Sequence, residues 1–286
     1  MKKLNGTVIV TYRCNARCTM CSRYRQPSKP EEELTLDTIR KLPRMYFTNI
    51  TGGEPFLRED LKAIVRELRK KSDRIVIYTN GYFTDRILDL CREFPDVGIR
   101  ISIEGLEETN NAIRGLDDGY NRGLSTLRKL KEMGMKDIGF GVTVQDKNAP
   151  DLIPLYRLAE ELDLEFATAS LHNSFYFVQT ENIIHDRPRV AEHFEKLVNE
   201  LLKSRTPKKV VPGLFQPWPD PLHLRRQAAA ALPYGQRYLL HRPLWRCDAL
   251  QRHERKIGFR QSERTNLGRI VEQCQSRKRP TAGMPL

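Results

Sequence analysis

An α/β fold built on parallel strands is predicted by three features of this 286-residue chain. Short β-branched runs alternate with amphipathic helical stretches six times, at roughly thirty residues per unit, the length that a strand–helix–strand crossover needs. Hydrophobic residues make up 39 %, enough at this length to bury a sizeable core without disulfides. Glycine-rich and polar segments recur just after the strands, where ligands gather in parallel α/β sheets.

The elements follow in order. Residues 6–12 are apolar and β-branched and read as the first strand. Residues 35–42 place Leu36, Ile39 and Leu42 on one helical face. A second strand, 45–50, runs into Thr51-Gly52-Gly53. Helix 57–71 carries Leu61, Ile64, Val65 and Leu68 at helical spacing. Strand 74–78 ends at Thr79-Asn80-Gly81, and helix 84–94 contains Cys91, which reads as a buried thiol. Strand 97–103 and helix 120–133, closed by Gly134, form the next unit. Strand 138–144, helix 149–162, strand 165–171 and helix 188–203 complete the series. Six units fall short of the eight of a closed barrel. Periodicity leaves an open partial barrel and a doubly wound sheet as alternatives.

Charge divides the chain. The formal net charge is +13, yet residues 1–207 are nearly neutral and 208–286 hold 16 basic against 5 acidic side chains. The expectation is two domains, a folded 1–207 and a basic, Pro- and Arg-rich 208–286 that is irregular or disordered. A neutral main body makes nucleic acid an unlikely partner. No run of eighteen apolar residues exists, so no membrane partner is expected. Nothing after Met1 resembles a secretory signal, which gives a cytoplasmic expectation.

Three of the six cysteines, Cys14, Cys18 and Cys21, fall within eight residues directly after the first strand. A structural zinc site needs four ligands, and no fourth Cys or His lies nearby. A [4Fe–4S] cluster held by three thiolates would keep one iron open to a ligand.

The C-x3-C-x2-C loop resembles the cluster loop of the radical S-adenosylmethionine (radical SAM) enzymes, and the resemblance covers about residues 5–205. It implies a partial (β/α)6 barrel with outer helices. It also implies that Cys14, Cys18 and Cys21 hold three irons while the fourth chelates S-adenosylmethionine. Met20 stands where the family often has an aromatic residue. Gly52-Gly53-Glu54-Pro55 resembles the segment that meets the methionine amino group, with Glu54 as an acceptor. Ser102 and Glu104, on one face of their strand, resemble the ribose contacts, and Thr79 and Asn80 the segment lining the pocket. Val142, Thr143, Leu171 and His172 are placed to flank the adenine. The Glu31-Glu32-Glu33 run reads as a solvated lead-in to the first helix.

The implied chemistry is reductive cleavage of S-adenosylmethionine to a 5′-deoxyadenosyl radical that abstracts hydrogen from a substrate. The implied partners are a peptide substrate and a one-electron donor such as flavodoxin or ferredoxin. Two alternatives stand beside this one. The first is a molybdopterin-type cyclase acting on a nucleotide. The second is a zinc-stabilised nucleic-acid-binding protein using the basic tail.

SPASM- or twitch-type members carry C-terminal cluster cysteines, a pattern that residues 208–286 lack. Codons allowed for residues 241–251, read one base later, permit Ile-Asp-Pro-Tyr-Gly-Asp-Val-Met-Pro-Cys-Asn, which resembles a SPASM segment. A frame change near Lys208–Lys209 is therefore expected, leaving Cys247 and Cys274 without function.

Overall fold

A computed structural model describes residues 4–174 and 176–203. Six strands form one sheet: β1 (Asn5–Ile9), β2 (Met45–Thr51), β3 (Ser72–Thr79), β4 (Gly98–Ser102), β5 (Ile138–Val144) and β6 (Glu165–Ser170). Seven helices connect and follow them: α1 (Leu36–Arg40), α2 (Leu61–Arg69), α3 (Thr84–Glu93), α4 (Glu107–Arg114), α5 (Gly119–Glu132), α6 (Leu152–Glu161) and α7 (Arg187–Lys203). Every neighbouring pair is parallel, and the spatial order is the chain order, β1 to β6. A doubly wound sheet would reverse order at a switch point. The sequential order excludes it, and the sheet is a curled half-barrel.

The two faces of the sheet differ as the strand period dictates. Ile75 and Ile77 of β3, Ile99 and Ile101 of β4, and Phe140 and Val142 of β5 are buried in the core with Leu68, Ile87 and Leu127 from the helices. Each such side chain contributes about 1.5–3 kcal/mol of burial. Cys91 lies in this core on α3, as expected. The alternate positions face the hollow of the half-barrel. Near its N-terminal end Arg100 is buried and pairs with Asp137 (2.7 Å) and Glu165, while Arg74 holds Asp137 bidentately (2.9 and 3.0 Å).

Several boundaries differ from the sequence expectation, and three departures bear on the site. Strand β1 stops at Ile9; Val10 N–H still bonds to Thr51 of β2, but the polar groups that follow turn to other loop segments. Thr11 Oγ1 donates to Glu33, Tyr12 N–H to Ser28 Oγ, and Arg13 N–H to Thr11 Oγ1. Helix α2 starts at Leu61 rather than 57. Residues 55–57 are a lone 3-10 turn, and Arg58 is extended, with its guanidinium on Asp60 and the Val10 carbonyl. Helix α4 was not expected; it ends at Gly115, which adopts φ +56° as a left-handed cap.

The expected second domain, 208–286, with Cys247 and Cys274, lies outside the described residues. Among those described, no helix is long and apolar enough to cross a membrane.

Candidate active site

The cysteine loop follows β1 and lies against the end of α4. Arg17 N–H donates to the Arg114 carbonyl (3.1 Å), and Thr19 N–H to that of Ile113 (2.8 Å). Loop amides thus satisfy carbonyls that the helix terminus leaves free. Gly115 permits the approach: a Cβ there would stand 2.7 Å from the Arg17 carbonyl oxygen.

On its other side the loop is held by Glu33. This carboxylate accepts from Thr11 (2.5 Å), Ser28 (2.8 Å) and Arg13 (2.9 and 3.1 Å), and Arg58 lies 3.4 Å away. Its side chain is only 3 % exposed, which corrects the expectation of a solvated run. A Glu placed by partners distant in sequence cannot be told from its exposed neighbours Glu31 and Glu32.

Cys14, Cys18 and Cys21 all line one cavity of about 220 Å³ at the C-terminal ends of the strands. Gly52, Gly53, Thr79, Asn80, Ser102 and Glu104 line it too, so most of the expected site residues meet in one place. Burial pushes the Cys14 thiol up to about 12 and raises that of Cys18. A metal centre that took these thiols as ligands would release their protons. Among the described residues, no three His, Cys, Asp or Glu side chains are grouped to hold a single metal ion.

Glu54 and Pro55 lie beneath the cavity rather than on its wall. The buried Glu54 carboxylate accepts from Phe56 N–H (3.1 Å), Thr79 Oγ1 (2.8 Å) and Asn80 N–H (2.7 Å). Burial raises its pKa, and these donors pull it back. The carboxylate fastens the end of β3 to the loop after β2. That loop turns at Gly53, where any Cβ would collide with the Arg13 carbonyl. Asn80 Nδ2 donates to Asn15 (2.7 Å), tying β3 to the cysteine loop.

Ser102 and Glu104 share the cavity face, as alternation requires. Glu104 accepts from Thr143 N–H (2.6 Å), its own N–H donates to Asn110 (2.9 Å), and its carbonyl accepts from Asn148 (2.7 Å). Thr143 lines the cavity, but Val142 points into the helix-side core. Leu171 and His172 do not line the cavity; His172 is exposed, and its ring lies 5.0 Å from that of Phe177. Met20 is buried at the cavity wall, with Gln145 Nε2 3.8 Å from its sulfur.

Arg114 is a residue that sequence reasoning missed, as are Tyr176 and Phe177 on the cavity wall. Arg114 ends α4, lines the cavity and lies 3.4 Å from Glu104, with its side chain 11 % exposed. Its Nε is buried with no hydrogen-bond partner among the described residues. Burial works against its charge, yet nearby acidic groups, among them Glu104 and Glu54, outweigh that and hold it protonated. The signal available was Gly115, a helix-closing residue directly after an Arg. The cavity thus offers a soft thiol set, close backbone approach at two glycines, and one cation with an unused donor.

The model of the Radical SAM superfamily matches residues 8–159. The Fe-coproporphyrin III synthase of Methanosarcina barkeri is 30 % identical over 164 residues, covering 53 % of this chain and 40 % of that protein. The sporulation killing factor maturation protein SkfB of Bacillus subtilis is 28 % identical over 157 residues, covering 52 % and 38 %. The chain therefore spans about two fifths of the length of these curated relatives. In fold it is similar to Streptococcus suis SuiB bound to precursor peptide SuiA, with a TM-score of 0.55 at 16 % identity, covering 69 % of this chain and 46 % of that one. The family match spans more than half of the sequence and includes the cysteine loop, the Gly52–Gly53 turn and the end of β4; this chain belongs to the radical SAM superfamily.

Proposed function

We propose that this chain is a radical SAM enzyme core in which Cys14, Cys18 and Cys21 hold a [4Fe–4S] cluster and the adjoining cavity holds S-adenosylmethionine. The observation that carries the reading is the convergence of three thiols, a glycine turn and the buried Arg114 on one cavity. When bound and reduced, the cluster supplies an electron that splits the sulfonium to methionine and a 5′-deoxyadenosyl radical, which takes hydrogen from a substrate.

The protein's own residues do the positioning. Backbone groups at Gly52 and Gly53 meet the ammonium group, with Glu54 fixing the turn below them and Pro55 starting the 3-10 turn behind it. Arg114 directs its unused Nε–H to the carboxylate and balances the thiolates. Ser102 and Glu104 take the ribose, and Asn80 holds the cysteine loop over the cofactor. The half-barrel wall limits water around the reacting carbon.

The substrate we propose is a peptide, and the electron donor a small flavodoxin or ferredoxin. The maturation role in the name of SkfB supports the first. A small cofactor precursor is the second reading, favoured by similarity to the Fe-coproporphyrin III synthase.

The test is anaerobic. The chain is reconstituted with iron and sulfide, reduced with dithionite and supplied with S-adenosylmethionine. It is expected to release 5′-deoxyadenosine, and Cys18→Ala to lose the product entirely. Equal product from both proteins would overturn the assignment.

A further inference from the structure

The described residues of the connection from β6 to α7, 171–174 and 176–186, do not simply run along the outside of the half-barrel. They leave the β6 edge of the sheet and cross to the loop that follows β1, at the opposite edge. Ser22 N–H donates to the Phe177 carbonyl (2.8 Å), and Ser22 Oγ to Gln179 (3.0 Å). Arg23 Nε donates to the Tyr176 carbonyl (2.9 Å), and Asn182 Nδ2 to the Met20 carbonyl (3.0 Å). The far end is pinned by Asp146, which accepts from the His185 and Asp186 amides (3.0 and 2.8 Å).

Between these anchors Tyr176 turns into the cavity, and Phe177 lines it as well. The Tyr176 hydroxyl donates to the Gly52 carbonyl and lies 3.1 Å from Thr51 Oγ1. An oxygen at that place stands where a ligand ammonium would approach the same carbonyl.

Two features make this segment easy to release. None of its described residues is buried; Ile184 packs against the core, and across the cavity the segment is held mainly by hydrogen bonds. Val178 has φ +51°, a left-handed conformation that a β-branched residue adopts only under strain.

We propose that residues 176–186 form a strap over the cofactor cavity. Tyr176 holds the Gly52 carbonyl, and the strap lifts when an ammonium-bearing ligand takes its place. The inference rests on the reading of this cavity as the S-adenosylmethionine site.

The experiment uses the full chain with reconstituted cluster and no reductant, so that nothing is turned over. Affinity for S-adenosylmethionine is measured by equilibrium dialysis for the wild type and Tyr176→Phe, which keeps the ring and removes the hydroxyl. Amide hydrogen exchange of residues 176–186 is followed with and without S-adenosylmethionine. Loss of the competing hydrogen bond is expected to tighten binding roughly three- to tenfold. Ligand is expected to speed exchange across the strap, and Tyr176→Phe to speed it without ligand.

A merely structural tyrosine would leave affinity unchanged or weaken it, and either result overturns the strap. So does slower exchange on binding, which would make Tyr176 a wall of the liganded pocket. If neither protein binds S-adenosylmethionine, the cofactor reading itself fails and the strap falls with it.

Discussion

Arg114 shows how much one side chain can depend on its surroundings. A buried guanidinium flanked by thiols and carboxylates would be costly if its neighbours were apolar. Here Glu104 lies 3.4 Å away and Glu54 is nearby, and Cys14 and Cys18 add compensating charge once they are thiolates. Its orphaned Nε marks where one more anionic group belongs. Arg114→Gln keeps an amide in place of the fork but removes the charge. Loss of one charge-assisted hydrogen bond, about 1.5–3 kcal/mol, predicts roughly 10- to 100-fold weaker binding of S-adenosylmethionine at unchanged iron content. Equilibrium dialysis with iron analysis checks both numbers on one sample.

At the scale of elements, the cysteine loop is a short irregular segment clamped from two sides. The end of α4 supplies carbonyls to its amides, and Glu33 gathers Thr11, Arg13, Ser28 and Arg58 at its stem. Burial pushes the Glu33 carboxyl up, but hydrogen bonds from Arg13, Thr11 and Ser28 outweigh it and hold it below its ordinary value of 4.5. The folded state thus binds its proton less readily than the unfolded chain. The stability contributed is complete above about pH 4.5 and is lost as pH falls through the lower folded-state value. Glu33→Gln is expected to cost about 1–3 kcal/mol at neutral pH, because it leaves Arg13 without its carboxylate partner. The difference from wild type should shrink on acidification, as urea unfolding at neutral and acidic pH would show.

For the whole molecule, stability sits on the helix side of the sheet and chemistry at its C-terminal rim. Ile77 is fully buried at the middle of β3 among residues of the first face. Ile77→Ala should lower unfolding stability by about 3 kcal/mol through lost burial and a residual cavity. Iron loading at low temperature should survive, since no cavity-lining residue is altered. An Ile77→Ala protein that lost iron while keeping its unfolding midpoint would contradict this division.

The amino-acid sequence by itself determined the six strand–helix units, the place of the cysteine loop after β1, and the glycine turn after β2. Each is written in local period and spacing: β-branched runs, helical apolar stripes, and thiols within eight residues. Only the tertiary structure decided between a half-barrel and a doubly wound sheet, because crossover helices have the same local pattern in both. It alone buried Glu33 while leaving Glu31 and Glu32 exposed, turned Glu54 beneath the cavity, and brought Arg114 and Tyr176 onto the site from 93 and 155 residues beyond Cys21. Those placements are made by hydrogen bonds and charges between segments far apart in the chain, and no local pattern encodes a partner that lies on another strand.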